Sequence, residues 1–119
     1  MLKIYIADDS LKIRDRLSEL VASLDFGGLE IRAEAPQADI LSIQEFQPDA
    51  AILDIHMPGG FDLLTSIKAL RQPPTLIILT AFPYPQVRKK CLEAGADYFF
   101  DKTSEFEQII EVLRALSPG

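Results

Sequence analysis

A chain of 119 residues suits a single domain spanning 1–119 and is too short for a second domain with a core of its own. Apolar residues make up 48% of it and charged residues 25%, a balance that permits a globular core and argues against disorder. Its 12 Lys and Arg against 18 Asp and Glu leave a net charge of -6, which works against direct nucleic-acid binding because a phosphate backbone demands clustered cations.

Short apolar runs alternate with longer stretches of helical spacing along the whole chain. That alternation is the signal for an α/β fold with a parallel sheet and crossover helices. The first strand is expected over Lys3 to Ala7, and Asp8 follows at once. The opening apolar run is too short for a signal peptide or a membrane span, so a cytoplasmic setting with no membrane contact is expected. A first helix should begin at Ser10, whose hydroxyl caps free N–H groups, and run through Ile13, Leu17, Leu20, Val21 and Leu24 until Gly27-Gly28 stops it.

The second strand is placed at Glu30 to Ala33. Pro36 fits the first turn of a helix carrying Ile40, Ile43 and Phe46, closed by Pro48. The third strand, Ala50 to Leu53, and the fourth, Thr75 to Thr80, are nearly uninterrupted in apolar character, which marks central strands covered on both faces. Between them, Phe61, Leu64, Ile67 and Leu70 define a third helix that Pro73-Pro74 would end. Gln86 to Ala94 makes a fourth helix terminated by Gly95, and its Cys91, the one cysteine, reads as a small packed hydrophobe in a reduced protein. A last strand, Tyr98 to Phe100, precedes a helix whose stripe is Phe106, Ile109, Ile110, Leu113 and Leu116. Ser117-Pro118-Gly119 then follows directly, with no output domain expected within the chain.

Asp8-Asp9 follows the first strand and Asp54 ends the third, so these acids fall at carboxyl ends of strands, the edge where open α/β sheets bind ligands. Thr80 and Lys102 fall at the same edge. Carboxylates brought together raise one another's pKa unless a cation compensates. Hard oxygen ligands of this kind suit Mg2+ or Mn2+, and magnesium commonly bridges one or two carboxylates to a phosphate. A carboxylate can attack phosphorus to give an acyl phosphate. A metal, the Lys102 ammonium and the Thr80 hydroxyl would supply the electrostatic help that such a transfer requires.

The order and spacing of Asp8-Asp9, of Asp54 within Leu53-Asp54-Ile55-His56-Met57-Pro58-Gly59, of Thr80-Ala81, and of Gly95-Ala96-Asp97 leading to Lys102 resembles the receiver domain of bacterial two-component response regulators. The resemblance runs from Lys3 to about Leu116. It implies a flavodoxin-like, doubly wound five-stranded sheet of order 2-1-3-4-5 with helices on both faces. Asp54 would be the phosphoacceptor. Asp9, Asp54 and the His56 backbone carbonyl would ligate the metal, with Asp8 acting indirectly. Thr80 would bond a phosphoryl oxygen after shifting, Lys102 would pair with the phosphoryl group, and Phe99 stands at the family's aromatic switch position. A histidine kinase or phosphotransfer protein would be the donor, and homodimerisation on phosphorylation is a family habit. Such a domain is a signalling phosphoacceptor rather than an enzyme.

This sequence departs from the family pattern in three places. Thr103 stands where a proline usually follows the lysine, Phe99 has no phenol hydroxyl, and Pro83-Tyr84-Pro85 stiffens the loop beside Thr80. The competing reading is a degenerate receiver that binds partners without being phosphorylated. A phosphatase of the haloacid-dehalogenase type would place its two aspartates one residue apart on the first strand. A flavin carrier would need glycine and hydroxyl donors where Asp8-Asp9-Ser10 stands. His56, the one histidine, lacks a spaced partner and reads as a loop residue at the pocket mouth.

Overall fold

The computed structural model describes residues 2–23, 28–34 and 39–116. Within them the chain alternates β1 (Leu2–Ala7), α1 (Leu11–Ala22), β2 (Leu29–Glu34), α2 (Ile40–Phe46), β3 (Ala50–Asp54), α3 (Gly60–Lys68), β4 (Thr75–Thr80), α4 (Pro85–Glu93), β5 (Tyr98–Asp101) and α5 (Gln108–Leu116). The strands form one parallel sheet of order 2-1-3-4-5. The chain leaves β1 toward β2 on one side and returns to β3 on the other. This reversal opens the topological switch point beside β1 and β3.

The strands' period of two sorts their side chains onto two faces. Tyr5, Ala7, Ala51, Leu53, Leu76, Ile78 and Phe99 pack with Ile43 and Phe46 of α2, Leu63, Leu64 and Ile67 of α3, and Cys91 of α4. On the opposite face Ile4, Ile6, Ala50, Ile52, Ile77, Leu79 and Phe100 meet Leu17 and Val21 of α1 and Ile109, Val112 and Leu113 of α5. Every residue of β3 is buried, so the continuous apolar run does mark a strand covered on both sides. Each fully buried Leu or Ile contributes about 1.5–3 kcal/mol relative to exposure, which makes this two-faced core the main support of the sheet edge above it.

Helix ends account for most of the differences from the sequence reading. Ser10 is the N-cap of α1, its hydroxyl accepting from the Ile13 N–H at 3.3 Å. The helix stops at Ala22 because Ser23 caps it, donating from its N–H to the Glu19 carbonyl and from its hydroxyl to that of Leu20. Leu24 and Gly27, expected to continue and stop it, lie outside the described residues, as do Pro36 and Ser117-Pro118-Gly119. Helix α2 starts at Ile40, with Asp39 as the cap accepting from Ser42 N–H, and closes on Gln47 in the left-handed conformation at φ 53° before Pro48. Helix α3 ends at Lys68, several residues ahead of Pro73, and Leu70 lies beyond it in a tightened turn that donates to the Ile67 carbonyl. Phe106 likewise precedes α5 rather than belonging to it, although its ring is buried in the core. Gly95 ends the α4 turn at φ 110°, a conformation costly for any residue with a Cβ.

Candidate functional site

Strand register builds the site. Ala7 lies opposite Leu53, and Leu53 opposite Ile78, so the next residue of β1 and of β3, Asp8 and Asp54, emerge side by side. Thr80 lies opposite Asp101, which carries Lys102 to the same edge. The β1–α1 turn is fixed by Asp8 itself, whose Oδ1 accepts from the Ser10 N–H at 2.9 Å. The β3–α3 turn is fixed by Asp54, whose Oδ1 accepts from the His56 N–H at 3.0 Å. Both carboxylates are buried, while Asp9 faces solvent.

Lys102 brings its ammonium between them, 2.7 Å from Asp8 Oδ2 and 3.2 Å from Asp54 Oδ2. Its side chain is 11% exposed in both pairs, so these contacts act at low dielectric and outweigh what surface ion pairs provide. Burial holds the Asp54 carboxyl above its ordinary pKa, and the nearby Asp8 adds to this, against the opposing pull of Lys102 and the His56 N–H. For Lys102 burial pulls the other way, but Asp8 and Asp54 together outweigh it and raise the lysine's pKa. The ammonium therefore stays charged at neutral pH, and Asp54 carries a carboxylate that water solvates poorly.

Asp8, Asp9 and Asp54 offer carboxylate oxygens that all lie within 4.8 Å of one another. Neighbouring oxygens around an octahedral magnesium at 2.0–2.1 Å sit roughly 3 Å apart, so a closure of at most about 2 Å would seat the ion. All three donors are hard anionic oxygens and a single lysine opposes them. The residues present fit a small divalent cation in both chemistry and spacing.

Above the carboxylates lies a cavity of about 280 Å³ lined by Asp9, Asp54, His56, Ala81, Phe82 and Lys102. The sequence reading missed Ala81 and Phe82 as lining residues. Their signal was their place directly after Thr80, at the carboxyl end of a central strand. The His56 ring is exposed and stands edge-on to Phe82, with centroids 5.4 Å apart, and Phe82 stacks on Tyr84. Phe82 is 52% exposed and Tyr84 58%. Thr80 is fully buried and does not line the cavity; its hydroxyl accepts from the Phe82 N–H at 3.0 Å.

The sequence profile of the response regulator receiver domain matches residues 4–114. The chain belongs to that family. Over an alignment of 126 positions it is 25% identical to the response regulator GacA of Pseudomonas syringae pv. syringae, covering 100% of this chain and 56% of GacA. It is 30% identical over 117 positions to the sensory transduction protein LytT of Bacillus subtilis, covering 96% of this chain and 47% of LytT. The chain thus spans about half the length of these curated relatives. Among solved structures, the BeF3-activated DrrB receiver domain aligns with a TM-score of 0.83 at 25% identity, over 98% of this chain and 97% of that one.

Membership makes the receiver a signalling domain rather than a classical enzyme. Its acidic triad stands where the family's magnesium pocket is expected. Phe99 is buried in the core, its ring 5.7 Å from the Arg88 guanidinium and its carbonyl accepting from Arg88 at 3.4 Å. The neighbouring aromatics of β5 divide the same way: Phe100 is buried and Tyr98 is half exposed, stacked on Phe100. No helix of the described residues is long and apolar enough to cross a membrane.

Proposed function

We propose that Asp54 is the phosphoacceptor of this receiver, taking a phosphoryl group from a phosphohistidine on a histidine kinase or phosphotransfer protein. An Asp54 carboxylate oxygen forms the new P–O bond as the P–N bond to histidine breaks, and the electron pair of that bond returns to the imidazole. The observation that carries this reading is the buried, cation-paired Asp54 at the floor of an open cavity, within ligand distance of two further carboxylates. Mg2+ or Mn2+, held by Asp9 and Asp54 with the His56 carbonyl and with Asp8 acting indirectly, would supply positive charge to the phosphoryl oxygens.

The chain's own groups divide the remaining work. Lys102 neutralises Asp8 and Asp54 before transfer and is close enough to turn to a phosphoryl oxygen afterwards. The Thr80 hydroxyl, now engaged by the Phe82 N–H, would exchange that bond for one to the phosphoryl group and draw the 81–84 loop inward. Phe99 sits under α4, so a shift of that loop reaches the α4–β5 surface through its packing. That surface is the proposed switch for a downstream partner or a second receiver. The setting is the cytoplasm, where the kinase's catalytic parts act.

Intact-mass analysis after incubation with phosphoramidate and Mg2+ tests the assignment. A single phosphoryl adduct, labile to hydroxylamine and lost in Asp54→Asn, is expected. An adduct retained in Asp54→Asn, or none in the parent, overturns it.

A further inference from the structure

We infer that Asp101, clasped to Thr103 and Glu105, is the positioning residue that aims Lys102 into the carboxylate pocket, taking the place of the proline the family usually carries after its lysine. The inference rests on the phosphoacceptor reading for its consequence but on local geometry for its substance. Lysine is a long, flexible side chain, and an ammonium shared between Asp8 and Asp54 demands a fixed backbone origin. Strand β5 fixes that origin on one side only: it is a four-residue edge strand, and the Lys102 N–H donates to the Thr80 carbonyl at 2.8 Å.

On the other side, where proline would restrict φ, the chain is held by hydrogen bonds. Asp101 Oδ1 accepts from the Thr103 N–H at 2.8 Å and from the Thr103 hydroxyl at 2.7 Å. The Asp101 N–H, on the open edge of the sheet, donates to Glu105 Oε1 at 3.2 Å, and the Glu105 N–H returns to the Asp101 carbonyl at 3.0 Å. Side chain and main chain of Asp101 are thus both tied across Lys102. The loop is pinned beyond the clasp by the buried Phe106 ring, which lies under the Arg16 guanidinium at 4.4 Å. Thr103 contributes what a proline cannot, an N–H and a hydroxyl for the same acceptor. Those two bonds also hold the Asp101 carboxyl below its ordinary pKa, so the clasp stays ionised at neutral pH.

The test compares Asp101→Ala and Asp101→Asn in the full chain. Asparagine keeps the accepting oxygen and should behave as the parent. Per-residue acetylation by acetic anhydride, read by mass spectrometry without metal, reports the freedom of Lys102 directly, with exposed Lys89 as internal standard. Asp101→Ala should acetylate Lys102 about 3-fold or more faster, and its phosphorylation by phosphoramidate should slow about 10-fold, less than the roughly 100-fold that a full 1 Å misplacement can cost because Lys102 is loosened rather than removed. Thr103→Pro in the Asp101→Ala background should recover most of the rate. In a Lys102→Ala background, Asp101→Ala should change the rate no further. Unchanged Lys102 acetylation in Asp101→Ala, or an equal slowing with and without Lys102, overturns the inference. Because the acetylation readout needs no phosphorylation, it remains decisive even if Asp54 proves not to be the acceptor.

Discussion

Replacing Lys102 with methionine keeps the aliphatic stem and removes the one cation that lies against Asp8 and Asp54 among the described residues. At 2.7 and 3.2 Å and an effective dielectric of about 20, the gross attractions are about 6 and 5 kcal/mol. Desolvation of the three buried groups offsets most of this, and loss of one partner from such a set typically costs about 3–5 kcal/mol because the others are left buried and unpaired. Asp54 of Lys102→Met can escape by binding a proton. Burial already holds its carboxyl above the ordinary pKa, so the variant's stability deficit is full at neutral pH and shrinks as pH falls through that raised value. Urea unfolding in EDTA, followed by circular dichroism because the chain has no tryptophan, should show a loss of about 3 kcal/mol at pH 7 and much less near pH 4. With the competing ammonium gone, Mg2+ should bind the variant at least about tenfold more tightly and restore part of the loss by mass action. Equal stability of variant and parent at pH 7, with unchanged Mg2+ affinity, would refute the view that Lys102 balances the pocket.

Three further outcomes follow from the same geometry. Asp54→Asn should be more stable than the parent at pH 7 without metal, because burial raises the Asp54 pKa and makes its ionisation a cost; the gap should close in acid, and a variant that is less stable at pH 7 contradicts this. Gly60→Ala would press a Cβ to 2.6 Å from the Ile55 carbonyl oxygen and 2.9 Å from that of Asp54, backbone atoms that cannot yield without moving Asp54. A loss of roughly 1–3 kcal/mol with slower phosphorylation is expected, and unaltered thermal unfolding and phosphorylation would show that the β3–α3 turn has slack. Thr80→Ala should still accept the phosphoryl group yet fail to shift the amide resonances of α4 and β5; shifts matching the parent's would remove Thr80 from the switch.

The sheet and its functional edge were legible because strands buried on both faces leave long apolar runs, and a parallel register aligns their ends. Asp8, Asp54, Thr80 and Lys102 could be brought together from that alone. Helix limits were less legible, since they depend on single caps with near-equal competitors. Ser10 was readable as a cap, but Ser23 ends α1 early through a side-chain bond that any of several residues could have made. Asp39 was hidden behind Pro36, a stronger local signal, and Gln47 adopts a left-handed conformation that its residue type does not announce. Phe99 and Phe100 are both buried, on opposite faces of β5, because helices cover the sheet on both sides. Thr103 was read only as a missing proline. That it closes a clasp with Asp101 depends on hydrogen bonds within a turn, which leave no periodic trace in sequence.

The claim on which the account rests is that three acids distant in sequence form one cation-binding pocket with Asp54 presented for transfer. Crystallography of the receiver with Mg2+ and BeF3 addresses it most directly. The expected result is a fluoroberyllate joined to an Asp54 carboxylate oxygen, a metal shared by Asp9 and Asp54, and the Lys102 ammonium turned to a fluorine. Clear density for the three aspartates turned away from one another, with neither ligand between them, would contradict it.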